Sequence, residues 1–294
     1  MNRHITMDRL SIGMGTLYGE KIKFFREGLG SESLLDITRD LEMEFTGPTE
    51  EGEYRIPVRF RSEEGIARYS LLHWAGGDKP SLIFHHGGGE TNYTARLRKI
   101  LSGPVRSRIN ILAVSIPHNR NMKEYIHGIG SLGRFAFLLA SSVRLIESLG
   151  LWLRDQGSGK IVASGISLGG WITNLHFSVF DSLDEYRPIF AGAAVEHLFT
   201  DTVYRKMASA EARSNPEALR EVLNFEAPFQ ARDRRKVFPL MARYDQFIQL
   251  ERQSRIYLPD QITVLDKGHI TGAMEGKALK KHLLRGLGIP HEQR

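Results

Sequence analysis

The chain has 294 residues, 41% of them hydrophobic and 25% charged, with a formal net charge of +6. These figures fit an ordinary globular chain with a sizeable core, in one large α/β domain or two smaller ones. Cysteine is absent, which excludes disulfides, thiolate zinc sites and a cysteine nucleophile.

Residues 1–30 carry Arg, Asp, Glu and Lys throughout and have no apolar signal core, so the expected location is cytoplasmic. The longest apolar block, residues 135–140, falls far short of the ~18 apolar residues of a membrane span. No stable membrane insertion is expected. Within the polar first fifty residues, Ile22, Phe24, Phe25 and Leu29 predict one helix, and Leu34, Leu35, Ile37 and Leu41 another. Residues 1–50 therefore read as an N-terminal helical extension ahead of a domain at 51–294. Tyr54, Ile56, Val58 and Phe60 alternate along a half-exposed strand at 53–61. A turn at Glu63-Glu64-Gly65 returns it as a second strand at 66–74, making a hairpin.

From Pro80 the texture changes. Short apolar runs at 81–85, 109–114, 161–163, 189–195, 237–241 and 262–265 predict strands buried on both faces. Helical patterns at 94–101, 132–154 (interrupted at Gly150), 168–180 and 279–287 alternate with most of them. That order implies a mainly parallel sheet with right-handed crossovers. Residues 196–235 carry helical pattern and no strand, with Asn215-Pro216 as a helix start. An insertion so long predicts a helical cap. The basic clusters at 232–236 and 280–281 are short and free of alternating aromatics, so they read as solvated surface, and no nucleic-acid partner is expected.

Two motifs carry chemistry. Gly165-Ile166-Ser167-Leu168-Gly169 reads G-x-S-x-G between a strand and a helix, a turn so tight that the serine hydroxyl is pushed outward. His85-His86-Gly87-Gly88-Gly89 follows a predicted strand, and its glycines leave backbone N–H groups open to an oxyanion. Glu90-Thr91 follows where a phosphate loop would want Lys and Ser. The adjacent His85 and His86 are expected to shape the glycine loop and to point to opposite sides of a strand end, and no residue set has metal-ligand spacing. His118, Asn119 and Arg120 form an unusually polar loop, a candidate for substrate binding or simply a solvated turn.

Together the two motifs resemble the α/β-hydrolase superfamily, and the H-G-G-G loop resembles its esterase and lipase branch, over about residues 50–290. The resemblance implies a mainly parallel eight-stranded sheet flanked by helices. It puts the glycine loop after the third strand, the nucleophile elbow after the fifth, and the triad in the order Ser, acid, His. With the hairpin as strands one and two, both motifs fall in place. The resemblance then implies Ser167 as nucleophile, Asp245 after strand seven as the acid, and His269 after strand eight as the base. Glu196, after strand six, is the alternative acid. Asp266 lies only three residues from His269 in a tight loop, which is poor geometry. Leu168, with Gly88 and Gly89, would supply the oxyanion hole.

The expected activity is that of a serine hydrolase, carboxylesterase-like, cleaving an ester or related acyl compound without metal or organic cofactor. A small acyl-peptidase or thioesterase on the same fold is the alternative, and a non-catalytic ligand-binding protein is the alternative of another class. The expected partner is a small acyl substrate; homo-oligomerisation is left open.

Overall fold

The structure, a computed structural model, describes residues 2–290. Among them are nine strands: β1 (Glu42–Met43), β2 (Gly52–Phe60), β3 (Glu63–His73), β4 (Ser81–His85), β5 (Asn110–Ser115), β6 (Ile161–Ile166), β7 (Glu185–Ile189), β8 (Leu240–Ala242) and β9 (Thr263–Leu265). They form one sheet in the order β1-β2-β3-β5-β4-β6-β7-β8-β9. The pairs β1–β2, β2–β3 and β3–β5 are antiparallel, and every later pair is parallel.

Strands β4, β5 and β6 are buried at every residue, which is why they are nearly continuous apolar runs. Alternate side chains feed two cores. Ile83, Leu112 and Val114 pack on one face, and Leu82, Phe84, Ile111 and Ala113 on the other. The first core is covered by the helices Leu132–Asp155 and Leu168–Val179, the second by Ala95–Ile100 and Gly276–Gly286.

Helix Leu132–Asp155 starts at Ser131, whose side chain accepts from the Arg134 N–H, and runs unbroken through Gly150. A Cβ at Gly150 would stand 2.6 Å from Leu183, so the glycine there permits close packing. This helix has a mean hydropathy of 1.5 over eighteen residues and is long enough to cross a membrane. Here 72% of that window is buried inside the fold, so it serves as the central core helix.

Several expectations are corrected. The sheet has a ninth, edge strand, β1, which adds only two residue pairs. The predicted helix over 22–29 is absent; a single 3₁₀ turn, Glu20–Ile22, leads into the bridge residue Phe24 and a turn at 25–27. A helix the sequence reading missed, Arg3–Thr16, opens the chain. The apolar run 189–195 is not a strand: β7 precedes it, at Glu185–Ile189. The run is instead a buried loop whose carbonyls are taken by side chains, Ala191 by Tyr257 Oη, Gly192 by Asn174 Nδ2 and Ala194 by Gln253 Nε2.

Residues 196–235 hold the helices Glu196–Thr200, Ala210–Ser214, Pro216–Leu223 and Glu226–Gln230. The N-terminal segment is stitched to them. The Phe24 N–H donates to Met207 O at 2.8 Å, and the Ser209 N–H donates to Phe24 O at 2.9 Å. Phe24 then joins Phe135, Phe199 and Tyr204 in one aromatic cluster, with ring centroids 5.0 Å apart for Phe24 and Phe199.

Candidate functional site

Ser167 sits between the last residue of β6 and helix Leu168–Val179, with φ 55° and ψ −112°. That backbone is unfavourable for a residue with a Cβ and costs on the order of 1–3 kcal/mol. It is held by a bond from the Ser167 N–H to Ile189 O at 2.8 Å. The turn closes only because its neighbours lack side chains: a Cβ on Gly165 would collide with the Gly169 carbonyl, and one on Gly169 with the His85 carbonyl. The same close approach ties the elbow to the end of β4, where the glycine loop begins.

The structure brings Asp245 and His269 to this serine. Ser167 Oγ lies 3.0 Å from His269 Nε2, and His269 Nδ1 lies 2.7 Å from Asp245 Oδ2. The other Asp245 oxygen accepts the N–H groups of Phe247 and Ile248 at 2.8 and 2.7 Å, which fixes the carboxylate plane. A carboxylate only accepts, so Nδ1 carries the proton and Nε2 is free to accept from the hydroxyl. Burial pulls the imidazole of His269 down. The charge and hydrogen bond of Asp245, with Asp8 further off, outweigh burial and hold it above its ordinary value, against the opposing charge of Arg96.

These groups open into a cavity of about 300 Å³. Gly87, Gly88 and Leu168 line it beside Ser167, and Phe24, Phe135, Leu198, Phe199, Tyr204 and Met207 make much of its apolar wall. Its lining includes an ion pair, Arg96 to Glu90 at 2.5 Å, with a second Arg96 nitrogen donating to Ala273 O. Gly89 is a correction. At φ 75° it does not line the cavity, and its N–H faces the Tyr125 hydroxyl.

No protein-family model matches the chain, and no curated protein matches it. Solved structures do. The acylaminoacyl peptidase of Pyrococcus horikoshii aligns with a TM-score of 0.58 at 16% identity, over 83% of this chain and 43% of the peptidase. The chain thus spans less than half the length of that protein. An acetyl xylan esterase from Paenibacillus sp. R4 aligns with a TM-score of 0.56 at 11% identity, over 86% of this chain and 92% of the esterase. Brefeldin A esterase, a bacterial homologue of human hormone sensitive lipase, aligns with a TM-score of 0.51 at 12% identity, over 97% of this chain and 84% of its own. At such identities the likeness is one of fold. The chain has the α/β-hydrolase fold.

Within that fold the remaining candidates separate. Glu196 is not brought to His269. One of its oxygens accepts from Asn224 at 2.7 Å, and the other has no partner among the described residues. Burial pushes its carboxyl up. The loop His118-Asn119-Arg120 does not reach the Ser167 cavity either. Asn119 is fully buried and spends its amide on Glu90 O at 3.0 Å and Ser115 Oγ at 3.2 Å, while Arg120 pairs with Glu124 at 2.6 Å. Asn119 is thus a buttress of the glycine loop. The residues missed from sequence are Gly87, the Glu90–Arg96 pair, and Ser11, Ile12 and Gly15 of the first helix, all of which line the cavity.

His85 and His86 do shape the loop, but their rings stack at 4.7 Å and do not point apart. His86 lies just beyond β4, where strand alternation no longer applies. His85 Nδ1 donates to His86 O at 2.9 Å and His86 Nδ1 donates to Gly87 O at 2.6 Å. Burial holds both neutral, His85 well below its ordinary value and His86 at about 4. His176 is likewise lowered, and His282 is lowered to about 3, in each case chiefly by burial.

Such groups make the fold acid-sensitive. Below the unfolded value of about 6.5, the unfolded chain takes up protons that these four histidines refuse. Stability should therefore fall as pH drops from about 6.5 toward 4, by at most about 1.4 kcal/mol per pH unit for each of them. His269, Asp8 and Glu196, held high, work in the opposite sense, while His118 and His197, also lowered by burial, add to the four. Urea unfolding at pH ~7 and ~5 measures the slope; His282→Gln should make it shallower, and equal stabilities in the wild type would refute neutral burial.

Proposed function

We propose that the chain is a serine hydrolase that cleaves a carboxylic ester or related acyl compound through an acyl-enzyme. The observation that carries this reading is the hydrogen-bonded series Ser167–His269–Asp245 opening into a cavity beside a glycine loop. As Ser167 Oγ attacks the substrate carbonyl carbon, His269 Nε2 takes the hydroxyl proton and Asp245 stabilises the imidazolium. The charge that develops on the carbonyl oxygen is met by the backbone N–H groups of Leu168 and Gly88. Collapse of the tetrahedral species breaks the bond to the leaving alcohol, which receives the proton from His269. Water then adds to the acyl carbon as it gives a proton to His269, and collapse breaks the bond to Ser167 Oγ, which takes that proton back from His269 as the acid leaves.

The apolar wall formed by the cap and Phe24 suits an apolar group on one side of the scissile bond, with Glu90 and Arg96 at the polar end. The test is labelling by a fluorophosphonate followed by peptide mass spectrometry. The label is expected on Ser167, with a rate that falls as pH drops through a value above the ordinary imidazole value of about 6.5, because His269 must be neutral to act as base. Folded protein that stays unlabelled at pH ~8 would return the reading to a non-catalytic binding protein. A panel of p-nitrophenyl esters, thioesters and acyl-peptides then ranks the substrate classes.

A further inference from the structure

The first helix, Arg3–Thr16, buries His4, Asp8 and Ile12. Asp8 is fully buried, and among the described residues its carboxylate accepts only from the two loops that carry Asp245 and His269. One oxygen accepts the N–H of Gln246 at 3.1 Å and the N–H of His269 at 2.9 Å; the other accepts the N–H of Ile270 at 3.0 Å. His4 adds a bond to Thr271 Oγ1 at 2.8 Å and stacks on Tyr244 with ring centroids 5.9 Å apart. The histidine loop is shaped to receive the helix, since a Cβ on Gly268 would stand 2.9 Å from Asp8 Oδ2 and from His4 O.

A buried carboxylate is costly; burial holds the Asp8 carboxyl above its ordinary value, and the three backbone donors offset part of that cost. Two donors flank the acid–histidine pair directly, one residue after Asp245 and at His269 itself. The bridge therefore spans the two loops whose separation sets the distance from Asp245 Oδ2 to His269 Nδ1.

We propose that Asp8 is a positioning residue of the Ser167 site, clamping the Asp245 loop to the His269 loop from a helix at the start of the chain. This rests on the hydrolase reading above. The helix is then part of the site's machinery, and Ser11, Ile12 and Gly15 bring the same helix into the cavity wall.

The clamp also places a charge near the base. The charged groups acting on His269 are Asp245 from the facing loop, Asp8 from the first helix, and Arg96, itself paired with Glu90; Phe190 and Phe247 pack on its ring without charge. Asp8 favours the imidazolium, so its loss lets His269 release its proton at lower pH.

The experiment uses the full chain as wild type, Asp8→Asn and Asp8→Glu. Active sites are titrated with a fluorophosphonate, and kcat and KM for a short-chain p-nitrophenyl ester are followed from pH ~5 to ~9. In Asp8→Asn, kcat per titrated site should fall about ten- to a hundredfold, with KM little changed, and the acid limb should move to lower pH by several tenths of a unit. Asp8→Glu keeps the charge but displaces it by one methylene. It should restore the acid limb and recover part of kcat. A merely structural role would lower the titrated fraction and leave both kcat per site and the limb where they were; that result overturns the proposal, whatever the melting temperature. If the wild type itself fails to label, the hydrolase reading falls and the proposal with it, an outcome distinct from unaltered kinetics in Asp8→Asn.

Discussion

Ser167→Ala is expected to lower kcat for ester hydrolysis about 10⁶-fold, the scale seen when a triad nucleophile is removed from a protease. The residue holds φ 55° in the elbow turn, and its side chain bonds His269 at 3.0 Å. Alanine suffers the same backbone strain and leaves no buried polar group unpaired apart from the imidazole nitrogen. The variant should therefore fold with nearly the wild-type melting temperature, which separates loss of chemistry from loss of structure. A residual rate of about 10³–10⁴ over water is expected, because the cavity and the donors proposed at Leu168 and Gly88 remain. The check is steady-state hydrolysis together with circular dichroism. Activity within tenfold of wild type in folded Ser167→Ala would put the chemistry elsewhere.

The parts of the sheet legible in the sequence are those where burial and composition agree. β4, β5 and β6 are buried on both faces and carry apolar side chains throughout, so the elbow and the glycine loop could be located from them. β7 was not legible, because it buries Glu185 and Arg187 as an ion pair, with Lys160 also on Glu185 at 2.6 Å. The apolar run that looked like this strand is the loop after it, whose backbone bonds go to Tyr257, Asn174 and Gln253. Strand counting nonetheless led to Asp245 and His269, since the loops after β8 and β9 keep their order in the chain even where strand limits shift.

The first helix was illegible for a different reason. Its buried positions, His4, Asp8 and Ile12, have helical spacing, but two of the three are polar and face polar loops, while Met7, Leu10 and Met14 on its other side are exposed. A periodicity read from hydrophobic residues points to the wrong face. The polar loop at His118 misled for a related reason, because Asn119 is polar on account of buried backbone partners and not of a ligand.

Asp245→Asn should lower kcat about 10⁴-fold, as the equivalent change does in a serine protease. The oxygen that accepts from Phe247 and Ile248 at 2.8 and 2.7 Å remains available in the amide, so the loop should keep its shape. The atom that then faces His269 Nδ1 is an NH₂, which donates. It selects the tautomer with the proton on Nε2, and that nitrogen, 3.0 Å from Ser167 Oγ, no longer accepts. Fluorophosphonate labelling should slow in parallel with hydrolysis, since both need the same proton transfer. Glu196→Gln supplies the contrast. Its carboxylate touches Asn224, not His269, and burial already disfavours its charge, so the amide should leave kcat within about threefold and hold or raise stability at neutral pH. A crippled Glu196→Gln beside an active Asp245→Asn would reverse the assignment of the acid, because the only route by which Glu196 could then act is a rearranged histidine loop that abandons the 2.7 Å contact with Asp245.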